Sequence, residues 1–204
     1  MLPQIVLVRH GETPWSTERR HTGRTDLPLT EAGAREASRL ALRLSKFIPD
    51  HVLTSPLLRA RETARLAGFP QAEVVDNLAE WHYGTLEGMT LEEIHQQMPG
   101  WLVFRDGSPR GETVEQVIER ADAVVAHLRT LDGNTLIFSH GHFSRVLTAR
   151  WCGLDLSICP HLLLNTTSLG VLGYDQDRDR PAIRAWNIRE SFIQSVSSSE
   201  APTT

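Results

Sequence analysis

The stretch Ile5-Val6-Leu7-Val8-Arg9-His10-Gly11-Glu12-Thr13 decides how this chain is read. A short unbroken apolar run, ended by charged residues and a glycine, predicts a strand covered on both faces. Such strands belong to parallel sheets flanked by helices, and their ligands gather beyond the carboxyl ends of the strands. Arg9 and His10 stand at that end. The arginine can neutralise an anion, and Gly11 lets the backbone turn sharply and come close to a ligand.

Outward from this stretch, short apolar runs alternate with amphipathic helical ones. Strands are expected at 5–8, 52–55, 74–75, 135–139, 168–174 and 182–186, in a largely parallel α/β arrangement. A first helix should run from Thr30, its N-cap, to Phe47, with Ala37, Leu40, Ala41 and Leu44 as its apolar stripe. A second should open at Ser55-Pro56, an N-cap followed by proline at the first helical position, and close at Gly68. The clearest begins at Thr113, where Val114, Val117, Ile118, Ala121, Val124, Val125, Leu128 and Leu131 keep the helical rhythm. Thr113 with Gln116 reads as a capping box, and Gly133 marks the exit. A last helix follows His140-Gly141 and ends near Gly153. Residues 76–111 break the alternation, carry several aromatics, and read as an insertion over the site.

One domain spanning 1–190 is expected, with a disordered Ser-rich tail at 191–204. A net charge of -4 argues against a general nucleic-acid or membrane-surface binder, so anion recognition must rest on a few focused arginines. Cys152 and Cys159 are the only cysteines, which suggests no disulfide framework. No basic leader precedes the short apolar run and no stretch nears the roughly 20 apolar residues of a bilayer span, so a cytoplasmic location is expected.

Three residues fall at strand ends: His10, Arg59 one helical turn past Ser55, and His140. His140-Gly141-His142 also opens a helix, whose free N–H groups favour an anion. Two arginines, two histidines and helix N-termini form a pocket for a phosphoryl group. Arg9 and Arg59 would bind phosphate oxygens and, by their field, keep His10 unprotonated and able to attack phosphorus. His140 would hold a further phosphate oxygen. A departing alkoxide needs a proton, and both Glu80 and Glu87 are carboxyl candidates for supplying it.

At this point the chain resembles the histidine phosphatase superfamily, also called phosphoglycerate mutase-like, over residues 2–186. Arg9-His10-Gly11-Glu12-Thr13 matches the family signature, and Thr22-Gly23 through Asp26-Leu27-Pro28-Leu29-Thr30 matches the segment after it. Ser55-Pro56-Leu57-Leu58-Arg59-Ala60-Arg61-Glu62-Thr63-Ala64 matches the second arginine motif and selects Arg59 over Arg61. Ser139-His140-Gly141-His142 matches the second histidine motif. Glu80 aligns with the family's proton donor, which selects it over Glu87. The resemblance implies a three-layer α/β/α sandwich and catalysis through phosphohistidine at His10, with Arg9, Arg59, Glu80 and His140 as the other catalytic residues.

Ser16 after Trp15, and His142 after the second His-Gly, stand where phosphoglycerate mutases typically have asparagine. Glu80-Trp81-His82-Tyr83-Gly84 with Glu87-Gly88 looks instead like the acid-phosphatase and sugar-bisphosphatase members. The reading is therefore a metal-independent phosphatase of small phosphorylated metabolites, with no cofactor. A mutase is the alternative, followed by a non-catalytic phosphate-ligand binding module and a metal-dependent hydrolase. Ser16, Thr22, Gly23, Trp81, Tyr83, Gly141 and His142 are the expected substrate contacts. His142 has a second reading as a polar residue of the first helical turn. Arg61 and Arg65 read as solvated helix charges, and Cys152 and Cys159 as small packed residues. His140 and His142 are two apart and face away from each other in a helix, so no zinc set is expected. The expected partner is a small phosphorylated metabolite, with neither nucleic acid nor membrane, and with a homodimer left open.

Overall fold

A computed structural model describes residues 2–189, and the expected tail at 191–204 lies outside the described residues. Strands β1 (Ile5–Arg9), β2 (His51–Thr54), β3 (Glu73–Val74), β4 (Thr135–Ser139), β5 (Leu169–Tyr174) and β6 (Pro181–Ile188) form one sheet. Their order is β3-β2-β4-β1-β5-β6. The first four strands are parallel, and β5 runs against both of its neighbours. The sheet is therefore mostly parallel, as the sequence implies.

Alternation along the central strands divides the core into two layers. Val6, Val8, Leu136 and Phe138 face one side and pack with Leu40, Leu44 and Ala64. Those residues belong to α2 (Glu31–Arg43) and α3 (Leu58–Leu66), apart from Leu44, which caps α2. Ile5, Leu7 and Ile137 face the other side, against Val117, Ala121, Val124, Phe143 and Val146. Those last five come from α6 (Val114–Thr130) and α7 (Gly141–Trp151). Helices on both sheet faces make an α/β/α sandwich, which explains why the central strands read as continuous apolar runs.

Residues 76–111 join the second layer rather than standing apart from it. Leu78, Trp81, Tyr83, Leu86, Ile94, Trp101, Val103 and Phe104 all belong to the same buried cluster as α6 and α7. This segment contains α4 (Leu91–Gln97) and α5 (Val103–Asp106), with short 3-10 turns at Asp76–Leu78 and Gly84–Leu86. Thr90 opens α4 through a capping box with Glu93.

Local signals held where side-chain chemistry fixed them. Thr30 caps α2 by accepting from the Gly33 N–H, and Thr113 and Gln116 form the expected capping box of α6. The start of α3 differs from expectation. It begins at Leu58, behind Leu57, with no side-chain cap. The Ser55 hydroxyl accepts from the Leu57 N–H, 3.2 Å away, and also meets His140, so it braces the turn before the helix. The first helix ends at Arg43, short of Phe47.

The loop after β1 leads into a single short turn, α1 (Pro14–Thr17), and the α2 N-terminus grips that loop. Thr30 donates its N–H to the Glu12 carbonyl (2.9 Å) and its hydroxyl to the Glu12 carboxylate (2.7 Å). A Cβ added to Gly11 would sit 2.8 Å from the Gly33 carbonyl oxygen, and one on Gly33 would collide with the Glu12 backbone. Helix and loop touch backbone to backbone, which only glycine permits. Gly33→Ala should therefore destabilise the fold by about 1–3 kcal/mol through overpacking, although alanine is favoured by about 1 kcal/mol inside a free helix. Urea unfolding measures this, and a more stable variant would show that the contact is not tight.

Candidate active site

Sheet register assembles the site. Arg9 is paired with Ser139, and Thr54 with Phe138. The residues that follow these strands, His10, His140 and Ser55, consequently emerge together at the carboxyl edge. The His10 and His140 rings lie 5.2 Å apart, centroid to centroid. Both side chains are buried.

The Nδ1 of His10 is 2.7 Å from the Gly11 carbonyl oxygen. A carbonyl only accepts, so Nδ1 carries the proton and Nε2 keeps its lone pair. Burial, then the charges of Arg59 and Arg9, hold the His10 pKa well below 6.5. The neutral, nucleophilic imidazole is thus the resting form. The Nε2 of His140 lies 2.7 Å from the Ser55 hydroxyl, while its buried Nδ1 has no partner. Burial, Arg59, His10 and Arg9 likewise keep His140 neutral.

Arg59 is fully buried on the first turn of α3. Its guanidinium donates to the carbonyls of Thr22 (3.0 Å), Gly23 (2.8 Å) and Thr25 (3.1 Å), so the 22–25 loop wraps around it. Thr63 joins the two signature motifs: its hydroxyl accepts from the Gly11 N–H (2.9 Å) and donates to the Arg59 carbonyl (2.6 Å). Arg9 donates to the Leu164 carbonyl (2.6 Å), and its buried Nε has no partner.

Glu80 occupies the N-terminal end of α7. It accepts from the N–H groups of Phe143 (2.8 Å), His142 (3.0 Å) and its neighbour Trp81 (2.9 Å). The anion expected at this helix terminus is therefore a protein carboxylate, because the segment before α4 places Glu80 there first. Glu87 is placed elsewhere and accepts from the Thr25 N–H at 2.5 Å.

A cleft of about 340 Å³ opens over these groups, lined in part by Arg9, His10, Glu80 and Gly141. Ser16, Thr22, Tyr83 and His142 line it as the sequence suggests. The Ser16 hydroxyl is engaged locally, accepting from the Thr13 N–H and donating to the Thr13 carbonyl. The Tyr83 hydroxyl is hydrogen-bonded to His142 Nδ1. Gly23 lies buried behind the cleft, where its carbonyl serves Arg59. Trp81 is not brought to the cleft: it is fully buried, its indole donates to the Glu112 carbonyl (3.1 Å), and its ring meets Phe104 edge-on. Arg59 and His140 sit beneath the lining rather than in it.

Sequence reasoning missed Arg19, Arg20, His21, Leu91 and Arg145, all of which line the cleft. The usable signal was helical spacing, since Arg145 is three residues after His142 and shares its face. His21 packs edge-on to Tyr83 and stacks on His142. Among the described residues no group of three or more His, Cys, Asp or Glu side chains is placed to hold a metal ion. No helix among them is long and apolar enough to cross a membrane.

Comparison with known proteins agrees with this geometry. The family model described as the histidine phosphatase superfamily, branch 1, matches residues 5–189. An acid phosphatase of Mycobacterium tuberculosis is 42% identical over 178 residues, covering 84% of this chain and 87% of its own. The sedoheptulose 1,7-bisphosphatase of Saccharomyces cerevisiae is 35% identical, covering 76% of this chain and 70% of its own. A solved open-reading-frame product of Mycobacterium tuberculosis superposes with a TM-score of 0.87 at 39% identity, covering 91% of this chain and 97% of its own. The chain belongs to the histidine phosphatase superfamily.

The neutral histidines tie stability to pH. The unfolded chain takes up protons near 6.5 that folded His10 and His140 refuse, so stability is full above that pH and falls below it. The free energy of unfolding should drop by about 1.4 kcal/mol per pH unit for each of these two as pH falls below 6.5. Denaturant titrations at pH 7.5 and 5 test this, with His140→Gln expected to reduce the slope. Equal stability at both pH values would contradict it.

Proposed function

We propose that this branch 1 histidine phosphatase hydrolyses phosphate monoesters in two steps through a phosphohistidine at His10. The observation that carries the reading is the hydrogen bond from His10 Nδ1–H to the Gly11 carbonyl, which leaves Nε2 unprotonated in a cationic cleft. Nε2 attacks phosphorus, the ester P–O bond breaks, and the leaving oxygen takes a proton from Glu80. Water then attacks the phosphohistidine and gives its proton to Glu80, the P–N bond breaks, and His10 and inorganic phosphate are released.

The other residues act on charge. Arg9 and Arg59 stabilise the equatorial oxygens of the transferring group, whose charge must be met by preorganised donors. His140 supplies its unpartnered Nδ1–H to a further oxygen, provided the Ser55 hydroxyl donates to Nε2. Ser55 suits that role because it already accepts from Leu57. The three N–H donors use three of the roughly four lone-pair sites of the Glu80 carboxylate, which leaves one for the proton in transit. No step uses a metal or an organic cofactor.

Ser16, Thr22, Tyr83, Gly141 and His142 contact substrate from the cleft wall, and Trp81 does not. Ser16 and His142 stand where mutases typically carry asparagine, which supports hydrolysis over phosphoryl retention. One domain over 1–190 and a cytoplasmic setting remain the reading that composition supports.

Phosphate release from a panel of sugar phosphates, phosphoglycerates, nucleotides and an aryl phosphate, measured in excess chelator, tests the proposal. Wild type should turn over, and His10→Ala should lose at least about 1000-fold in kcat. Glu80→Gln should lose about 100- to 10,000-fold, with a smaller deficit on esters whose leaving group needs no proton. Interconversion of phosphoglycerates without phosphate release would favour a mutase instead.

A further inference from the structure

Arg9, Arg19, Arg20 and Arg145 line the cleft, and the phosphoryl cradle uses only the first, with Arg59 beneath. Arg20 is neutralised by Glu18 (2.7 Å) and Glu93 (3.0 Å) and also donates to the Gly88 carbonyl. Glu80 is the one carboxylate among the lining residues, and its oxygens serve backbone N–H groups. Two cations, Arg19 and Arg145, are therefore left without an ion pair among the described residues.

Arg145 is the informative one. It lies one helical turn past Gly141 and His142, so the same face of α7 carries all three into the cleft wall. The side chain is largely buried, its Nε is shielded from solvent, and it makes no hydrogen bond or ion pair among the described residues. Burial works against its charge, and Glu80 is the strongest compensating group near it. Arginines this buried are ordinarily paired. Arg19 stands exposed at the rim of the same cleft, also without an ion pair among the described residues.

We propose that Arg145, with Arg19 at the mouth, forms a second anion subsite, so that the preferred substrate is a phosphate monoester whose body carries another anionic group. A carboxylate and a second phosphate share the chemistry that a guanidinium recognises. The inference rests on the reading of His10 as the phosphoryl-accepting centre and adds the substrate class to it.

The test compares wild type, Arg145→Gln and Arg145→Lys on four substrates: a hexose bisphosphate, 3-phosphoglycerate, the matching hexose monophosphate and an aryl phosphate. Arg145→Gln should lower the ratio of kcat/KM between anionic-bodied and uncharged-bodied esters by about 10- to 100-fold, mainly through KM. Arg145→Lys should restore part of that ratio. Whether the bisphosphate or the phosphoglycerate loses more identifies the second anion. An unchanged ratio, with all substrates falling together or none falling, overturns the subsite. If wild type turns over nothing, the hydrolytic reading has failed on its own. The subsite is then read from calorimetric binding of the bisphosphate and monophosphate to His10→Ala protein, with and without Arg145→Gln, where an equal loss for both ligands overturns it.

Discussion

The pairing of Arg9 with Ser139 across adjacent parallel strands is the constraint on which the rest of the site depends. It puts His10 and His140 one residue beyond the sheet at the same height, and the neighbouring pair Thr54–Phe138 brings Ser55 alongside. A slip of one residue would turn Val6 and Val8 out of the α2–α3 layer and send Leu7 into it. The buried apolar pattern therefore holds the register, and the register holds the reacting groups. Catalytic geometry here is a by-product of core packing.

That geometry concentrates positive charge where water is scarce, which would be unfavourable without compensation. The compensation comes mostly from oriented dipoles. Three loop carbonyls meet Arg59, one meets Arg9, and the Gly11 carbonyl fixes the His10 tautomer. Glu80 contributes the one carboxyl group among the cleft-lining residues, and α7 holds it through two N–H groups. That carboxyl caps a helix and, in the proposed reaction, gives up a proton in the first step and regains one in the second. Because these partners already face inward before substrate arrives, little reorganisation is needed when charge develops on the phosphoryl oxygens.

Much of this was legible in the sequence, for identifiable reasons. Apolar runs bounded by Arg9-His10-Gly11 and by His140-Gly141 marked the strand ends, and Thr30 and Thr113 marked helix starts, because these signals are local. Arg59 was legible as a residue one turn past a strand, and the family resemblance separated Glu80 from Glu87. The signals that failed depend on distant partners. Ser55-Pro56 has the form of a helix cap, yet the Ser55 hydroxyl is claimed by Leu57 and by His140, 85 residues away. Trp81 neighbours Glu80 in sequence but is buried in the core, where its indole donates to the Glu112 carbonyl. Arg145 has no local signal of its burial, which the packing of α7 into the cleft wall imposes. Gly33 has none either, because what requires glycine there is the Glu12 backbone packed against it.

The central claim is that His10 Nε2 becomes covalently bonded to phosphorus. Rapid-quench mixing of enzyme with a labelled phosphate ester, followed by peptide mapping, tests it most directly. The account predicts a transient, acid-labile and base-stable phosphopeptide carrying the label on His10, absent from His10→Ala protein. Phosphate release in step with ester cleavage, with no label on His10 at any time during the first turnover while Glu80→Gln also accumulates none, would contradict it.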